Sequence, residues 1–421
     1  MFIPYEEISK KLSLFLPERF RQKVLDFGHK LKIKRNLRYI KHNQKIVRKK
    51  LKNKKTLNVA FYVYDSTKWK CQSLYDLLDK DERFNVTVLV TKNNAENIDN
   101  PSYQTADDVI KTYEFFKRKN MNVKYAYDTN KLKFIPFEKF NPDVIIYQHP
   151  WYVETSQGPV VCSKFALTCY VPYYFPTTTA PIDYYLRFHQ YVERYYIFDK
   201  ITQNVYIEKM ENKGANLKVT GQPFLDYFRL NQQEEKEYVI YAPHWTICGK
   251  GISYGTFEWN GKFMLEYAKQ HPEKKWVFKP HPMLFKALID NNVMTRDEAE
   301  SYYQEWDKVG LKYESGDYLD LFNKSALMIT DCSSFLGEFF MTASPVIHLI
   351  SESSTPFNET VNQVIRNYYK AHNISELEDM LNTLPDKDTM KEQRLKAIKD
   401  LGFKDNYAAR NIVDDIIEVI G

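Results

Sequence analysis

Three short segments place anion-binding side chains directly after runs that read as buried strands. Lys279-Pro280-His281-Pro282 follows Lys274-Lys275-Trp276-Val277-Phe278 and precedes Met283-Leu284-Phe285-Lys286-Ala287-Leu288, which is suited to open a helix. The prolines fix φ and remove backbone donors, so a cation and an imidazole are presented at a strand end. In open α/β sheets that edge is where ligands bind. Lysine attracts phosphate as a point charge, and histidine donates to a bridging or leaving oxygen. Tyr241-Ala242-Pro243-His244-Trp245 is a second such end. His244 is suited to hydrogen-bond a phosphate, act as an acid or orient a neighbour; the plainer alternative is a hydrogen-bonded core histidine. The third is Thr330-Asp331-Cys332-Ser333-Ser334, which follows Ala326-Leu327-Met328-Ile329 and leads into the apolar segment from Phe335 to Met341. That pattern marks a helix start, where unpaired N–H groups and the Ser333 and Ser334 hydroxyls would hold a phosphate. Glu338 would accept from ribose hydroxyls. As pure structure, Ser333 is a cap and Glu338 a solvated helix residue. Asp331 would repel phosphate unless it anchors a turn or a basic partner. Gly316-Asp317-Tyr318 reads as a turn, with Gly316 supplying an unusual backbone angle or a close approach.

Strands and helices in alternation must position these ends. Leu57 to Tyr64, Asn85 to Thr91, Asn122 to Tyr127, Asp143 to Tyr147, Phe165 to Tyr170, Arg194 to Phe198 and Leu217 to Thr220 read as strands of a first α/β unit. A polar linker, 231–237, follows Gly221-Gln222-Pro223, and a second unit begins at Tyr238 to Ala242. It continues through strands at 276–278, 326–330 and 346–350, and three helices close the chain from Ser375. The expected division is 1–56 basic segment, 57–230 first α/β domain, 231–374 second α/β domain and 375–421 closing helices. Parallel α/β construction in two units implies a cleft suited to two unlike substrates.

With 421 residues, 43% hydrophobic and 15% aromatic, the chain is globular and multidomain rather than disordered. The net charge of +6 is unevenly spread: residues 1–56 carry 18 Lys or Arg against 4 Asp or Glu, or +14, and the remainder carries 42 against 50, or −8. Apolar residues are interleaved with that basic run, among them Leu31, Ile33, Leu37, Ile40 and Ile46. The segment is therefore expected to rest on an anionic membrane surface; the alternative is a basic helix pair packed on the protein. The acidic body and the absence of stacking platforms argue against nucleic acid. Five widely spaced cysteines fit a reducing compartment. No signal peptide, no 18-residue apolar run, no Gly-rich dinucleotide fingerprint, no Walker A sequence and no zinc pattern is read, so no metal or cofactor is expected.

In their order, Tyr241-Ala242-Pro243-His244, Ser253 to Phe257, Lys279-Pro280-His281-Pro282, Gly316-Asp317-Tyr318 and Ile329-Thr330-Asp331-Cys332-Ser333-Ser334 with Glu338 resemble the CDP-glycerol glycerophosphotransferase family. This family includes teichoic-acid and capsule-polymer enzymes. Gly221-Gln222-Pro223 with Asp226 resembles its interdomain signature, and the likeness is strongest over 217–350. The resemblance implies a two-domain GT-B fold with a basic helical N-terminal extension. It implies transfer of a polyol-phosphate unit from CDP-glycerol or CDP-ribitol to a hydroxyl of a lipid-linked or polymeric acceptor, releasing CMP. It also implies a peripheral position on the cytoplasmic face of the bacterial membrane. His281, Ser333 and Ser334 would meet the donor phosphates, Lys279 would add charge, and Glu338 would bind ribose. The family's Trp-His-Gly segment is missing. Tyr147-Gln148-His149-Pro150-Trp151 stands in its place, which makes His149 the expected acceptor base. The rival readings are a GT-B glycosyltransferase using a nucleotide-sugar and an inactive membrane-associated envelope-assembly protein.

Overall fold

The computed structural model describes residues 18–96, 100, 102–178, 184, 186–230, 235–247, 253–313, 318–384, 386–402 and 407–421. Two compact units emerge. Residues 1–173, 181–222 and 409–421 form one, and residues 174–180 and 223–408 the other. The chain thus passes between them more often than the single crossing expected after Gly221-Gln222-Pro223, and its last helix, Ala408–Ile420, lies almost wholly in the first unit.

In the first unit, seven parallel strands form one sheet: β1 (Leu57–Val63), β2 (Phe84–Val90), β3 (Val123–Tyr125), β4 (Val144–Tyr147), β5 (Leu167–Tyr170), β6 (Arg194–Ile197) and β7 (Leu217–Val219). Their order is β3-β2-β1-β4-β5-β6-β7. Every residue of β4 and β5 is buried, as expected of central parallel strands covered on both faces. A small antiparallel pair, Tyr127–Asp128 with Lys133–Phe134, was not anticipated.

The basic segment is a long helix, α1 (Glu18–Leu51). Ile33, Ile40, Val47 and Leu51 recur at helical spacing and are buried, with Ile33 and Ile40 against Tyr191. Asn43 Nδ2 donates to Ser163 Oγ, and Gln44 Nε2 to the Ser163 and Ala166 carbonyls. Arg48 pairs with Glu193, just before β6, and Lys54 with Asp143, just before β4. The helix therefore runs along the amino-terminal ends of the central strands. The apolar stripe of this helix is thus packed largely against the unit itself, where Asn43 Nδ2 and Gln44 Nε2 also find acceptors. Ile46 and Phe27 stay outside, 55% and 65% exposed. Met1 to Pro17 lie outside the described residues. Among those described, no helix is long and apolar enough to cross a membrane.

The second unit has six parallel strands: β8 (Tyr238–Ala242), β9 (Lys275–Phe278), β10 (Leu311–Lys312), β11 (Ser325–Thr330), β12 (Val346–Leu349) and β13 (Tyr369–Ala371), ordered β10-β9-β8-β11-β12-β13. Its helices include α2 (Phe257–Gln270), α3 (Ser333–Glu338) and α4 (Ile374–Thr383). Aromatic residues dominate the core beside β8 and β9: Trp306 stacks on Phe278 at 4.8 Å, and Tyr241 lies 5.8 Å from Trp306. β8, β9 and β11 are adjacent, so their three carboxyl ends, those singled out in the sequence, share one edge.

Candidate functional site

Asp331, at the end of β11, organises that edge. It is buried, and its Oδ1 accepts from the His244 backbone N–H at 2.6 Å. Its Oδ2 accepts from the Thr256 N–H and hydroxyl at 2.6 and 2.7 Å. Thr256 is the N-cap of α2 but makes no side-chain cap, because its hydroxyl is committed to Asp331. Asn260 Nδ2 donates to the Thr256 carbonyl, and Tyr241 OH donates to Asn260 Oδ1. A buried polar network thus fixes the loop after β8, the start of α2 and the end of β11 against one another. Asp331 thus anchors turns. Burial pushes its carboxyl up to about 6 against the hydrogen bonds that pull it down.

His244 and His281 sit at the ends of neighbouring strands with ring centroids 5.2 Å apart. The Tyr254 and Gly255 N–H groups donate to Thr246 Oγ1 at 2.9 and 3.0 Å, and this hydroxyl lies 2.8 Å from His244 Nδ1. With two donors arriving at Thr246 Oγ1, its proton is directed to Nδ1. Neutral His244 therefore carries its own proton on Nε2. A side chain at Gly255 would place Cβ 2.1 Å from the Thr246 carbonyl oxygen, so only glycine fits this fold-back. In His281, Nδ1 accepts from the Met283 N–H at 3.2 Å, which again leaves the proton on Nε2. Burial, with His281 beside it, lowers His244 to about 3; burial, with Lys279 beside it, lowers His281 to about 4. Two neutral imidazoles are thus pre-set as Nε2–H donors.

Backbone pairing explains the spacing around His281. The Lys279 N–H donates to the Tyr241 carbonyl and the His281 N–H to the Pro243 carbonyl, continuing the β8–β9 ladder. The alternate N–H groups would face the β10 side, and those positions are Pro280 and Pro282, which have none. Lys279 is only 5% exposed, and its Nζ lies 4.7 Å from the Tyr318 ring centre and 5.2 Å from those of Tyr313 and Phe335. Glu338 is buried rather than a solvated helix residue, and it accepts from Tyr318 OH at 2.5 Å. Cys332, not Ser333, is the N-cap of α3, and it makes no side-chain cap bond. Ser333 and Ser334 open the first turn, partly exposed. Gly316 and Asp317 lie outside the described residues.

The same edge holds residues the sequence did not single out. Trp259 and Glu258 of α2, Ile350 to Glu352 after β12, and His372 to Ser375 around the start of α4 line a cavity of about 610 Å³. The local signal is Asn373-Ile374-Ser375-Glu376: Asn373 caps α4 by accepting from the Glu376 N–H.

Six of the seven expected site residues, His244, Lys279, His281, Ser333, Ser334 and Glu338, fall in the second unit, and His149 falls in the first. His149 follows β4, fully buried, its ring 4.2 Å from Tyr64 and 4.9 Å from Tyr173. Neither ring nitrogen has a hydrogen-bond partner. Burial, reinforced by Lys68 and opposed by Asp65, lowers it to about 3. A ring so weakly basic is a poor proton acceptor at neutral pH.

Five histidines, 149, 189, 244, 281 and 348, have native pKa values of about 3 to 4, against 6.5 when unfolded. Below pH 6.5 the unfolded chain takes up protons that the native chain refuses. Their stabilisation is therefore full above about 6.5 and is lost as pH falls toward 4. Asp331, raised above its unfolded value, works in the opposite sense over part of that window, one group against five. Thermal melts should show a lower Tm at about pH 5 than at about pH 7.5. A flat or rising profile would contradict this placement.

No protein-family profile matches the sequence, and no curated protein matches it. Solved structures do. S. aureus MnaA with UDP is 13% identical over 86% of this chain and 96% of its own, with a TM-score of 0.54. UDP-GlcNAc 2-epimerase from Neisseria meningitidis, bound to UDP-GlcNAc, is 13% identical over 86% of this chain and 100% of its own, at 0.52. The wall teichoic acid polymerase TagF, as a variant soaked with CDPG, is 13% identical over 96% of this chain and 98% of its own, at 0.50. The fold is GT-B-like. Two parallel α/β units in one chain agree with the architecture expected from the sequence, while identities this low show the fold alone.

Proposed function

We propose that the second unit binds a nucleoside-diphosphate-linked donor at the ends of β8, β9 and β11, and that the protein is a transferase acting on it. The observation that carries this reading is the adjacent pair of neutral imidazoles, each with Nδ1 occupied and Nε2–H free to meet phosphate oxygens. The nucleoside would enter the cavity beside Thr256 and Trp259. Lys279, enclosed by three rings, would act on the diphosphate through its field.

In the main reading the donor is CDP-glycerol or CDP-ribitol. An acceptor hydroxyl on a membrane-associated teichoic-acid-like or capsular polymer attacks the polyol-side phosphorus. The bond from that phosphorus to the bridging oxygen breaks, and CMP leaves carrying that oxygen. His281 and His244 stabilise the charge that develops there. The acceptor proton passes to solvent, since burial leaves His149 too weakly basic to take it at neutral pH. A second reading is a nucleotide-sugar enzyme, since the same fold holds UDP and UDP-GlcNAc in other proteins.

A donor panel decides between them. CDP-glycerol, CDP-ribitol and UDP-GlcNAc are incubated with the full chain, with and without a polyol-phosphate primer, and products are read by phosphorus NMR and mass spectrometry. CMP and a new phosphodiester are expected from a CDP-polyol, only when primer is present. UDP release or an altered sugar would support the second reading. A folded protein that consumes no donor would exclude both and leave a non-catalytic assembly role.

A further inference from the structure

In the first unit, a groove of about 730 Å³ lies between α1 and the segments that enter β6 and β7. Its apolar floor includes Leu37, Ile40 and Val192, and its rim carries Lys41, Lys45 and Arg48. We propose that this groove seats the headgroup phosphate of an anionic phospholipid, with the adjoining hydrocarbon on the apolar floor.

Charge, shape and unmet hydrogen bonding agree on that occupant. Four cations line the groove, the fourth being Arg194, against one carboxylate, Glu193. Glu193 engages one arm of Arg48, whose Nε is buried with no hydrogen-bond partner. Arg194 is held by Asp415. Lys41 and Lys45, one helical turn apart, are exposed and make no ion pair among the described residues. Uncompensated positive charge beside an apolar trough fits a phosphate diester attached to an alkyl chain. A nucleotide fits less well, since no aromatic ring lines the groove to stack on a base. Phe27, farther toward the start of α1, is 65% exposed and extends this side of the unit toward a lipid surface. The groove opens at the amino-terminal ends of the strands, opposite the edge that carries His149, and nothing in the donor reading is needed for it.

The test is co-sedimentation of the full chain with phosphatidylcholine vesicles, with and without phosphatidylglycerol. Binding is expected only when phosphatidylglycerol is present. Lys41→Glu with Lys45→Glu should weaken it at least about tenfold, while Lys49→Glu with Lys50→Glu, the same charge change outside the groove, should weaken it about threefold or less. Soluble dihexanoyl phosphatidylglycerol should bind saturably to the native chain and not to the groove variant. Both variants alter exposed side chains, and unchanged circular dichroism melts confirm folding. Equal losses in the two variants would mean a diffuse basic surface and overturn the proposal. So would inorganic phosphate binding as tightly as the short-chain lipid, or no binding of that lipid at all. Donor turnover in solution needs no vesicle, so either reading can fail while the other stands.

Discussion

His281→Ala is expected to lower donor turnover by about 10² to 10³-fold, the usual cost of removing one pre-set hydrogen-bond donor from a developing oxyanion. The ring makes one local bond, from the Met283 N–H, so melting temperature should change little. The measurement is kcat with whichever donor the panel identifies, beside calorimetric affinity for the matching nucleoside diphosphate. His281→Asn, which retains a donor group, should recover part of the loss. Turnover close to that of the native chain in a folded His281→Ala protein would remove this residue from the chemistry.

Asp331→Ala is expected to act on stability more than on any single chemical step. It strands two buried backbone N–H groups and one hydroxyl, each costing about 1 to 3 kcal/mol when left unpaired, so a loss of about 3 kcal/mol or more should follow. Asp331→Asn should fall between, since its amide must point N–H groups at existing donors. Denaturant titrations followed by tryptophan fluorescence report mainly on the second unit, which holds Trp245, Trp259, Trp276 and Trp306. A change below about 1 kcal/mol would show that the polar network is not what joins the three strand ends.

The strands were legible because buried parallel strands are written as short, continuous apolar runs, and Tyr238 to Ala242 and Ala326 to Thr330 need little more than that to be placed. Their carboxyl ends were legible for the same reason. The destinations of polar side chains were not. Glu338 reads as a surface helix residue until Tyr318, twenty positions earlier, is brought over it. From sequence, Asp331 reads equally as repelling a phosphate or anchoring a turn, because the donors that decide the matter come from residues 244 and 256. In α1 the apolar spacing was visible, but the surface it covers was not: a stripe of Ile33, Ile40 and Val47 suits a bilayer and a protein core equally well. The return of residues 409–421 to the first unit has no local signature at all.

The alternation of proline with Lys279 and His281 has one more consequence, which concerns the growth of the sheet. A parallel ladder zips on as long as each flank supplies donors, and a strand end left open can recruit whatever extended chain comes near. Here the flank toward β8 supplies donors from residues 279 and 281, and the flank toward β10 has pyrrolidine rings in the corresponding places. Among the described residues, the last bond on that side runs from the Tyr313 N–H to the Phe278 carbonyl. The two prolines thus act as a one-sided stop: they let the sheet hold the histidine firmly from one flank while denying any further strand the hydrogen bonds needed to close over it.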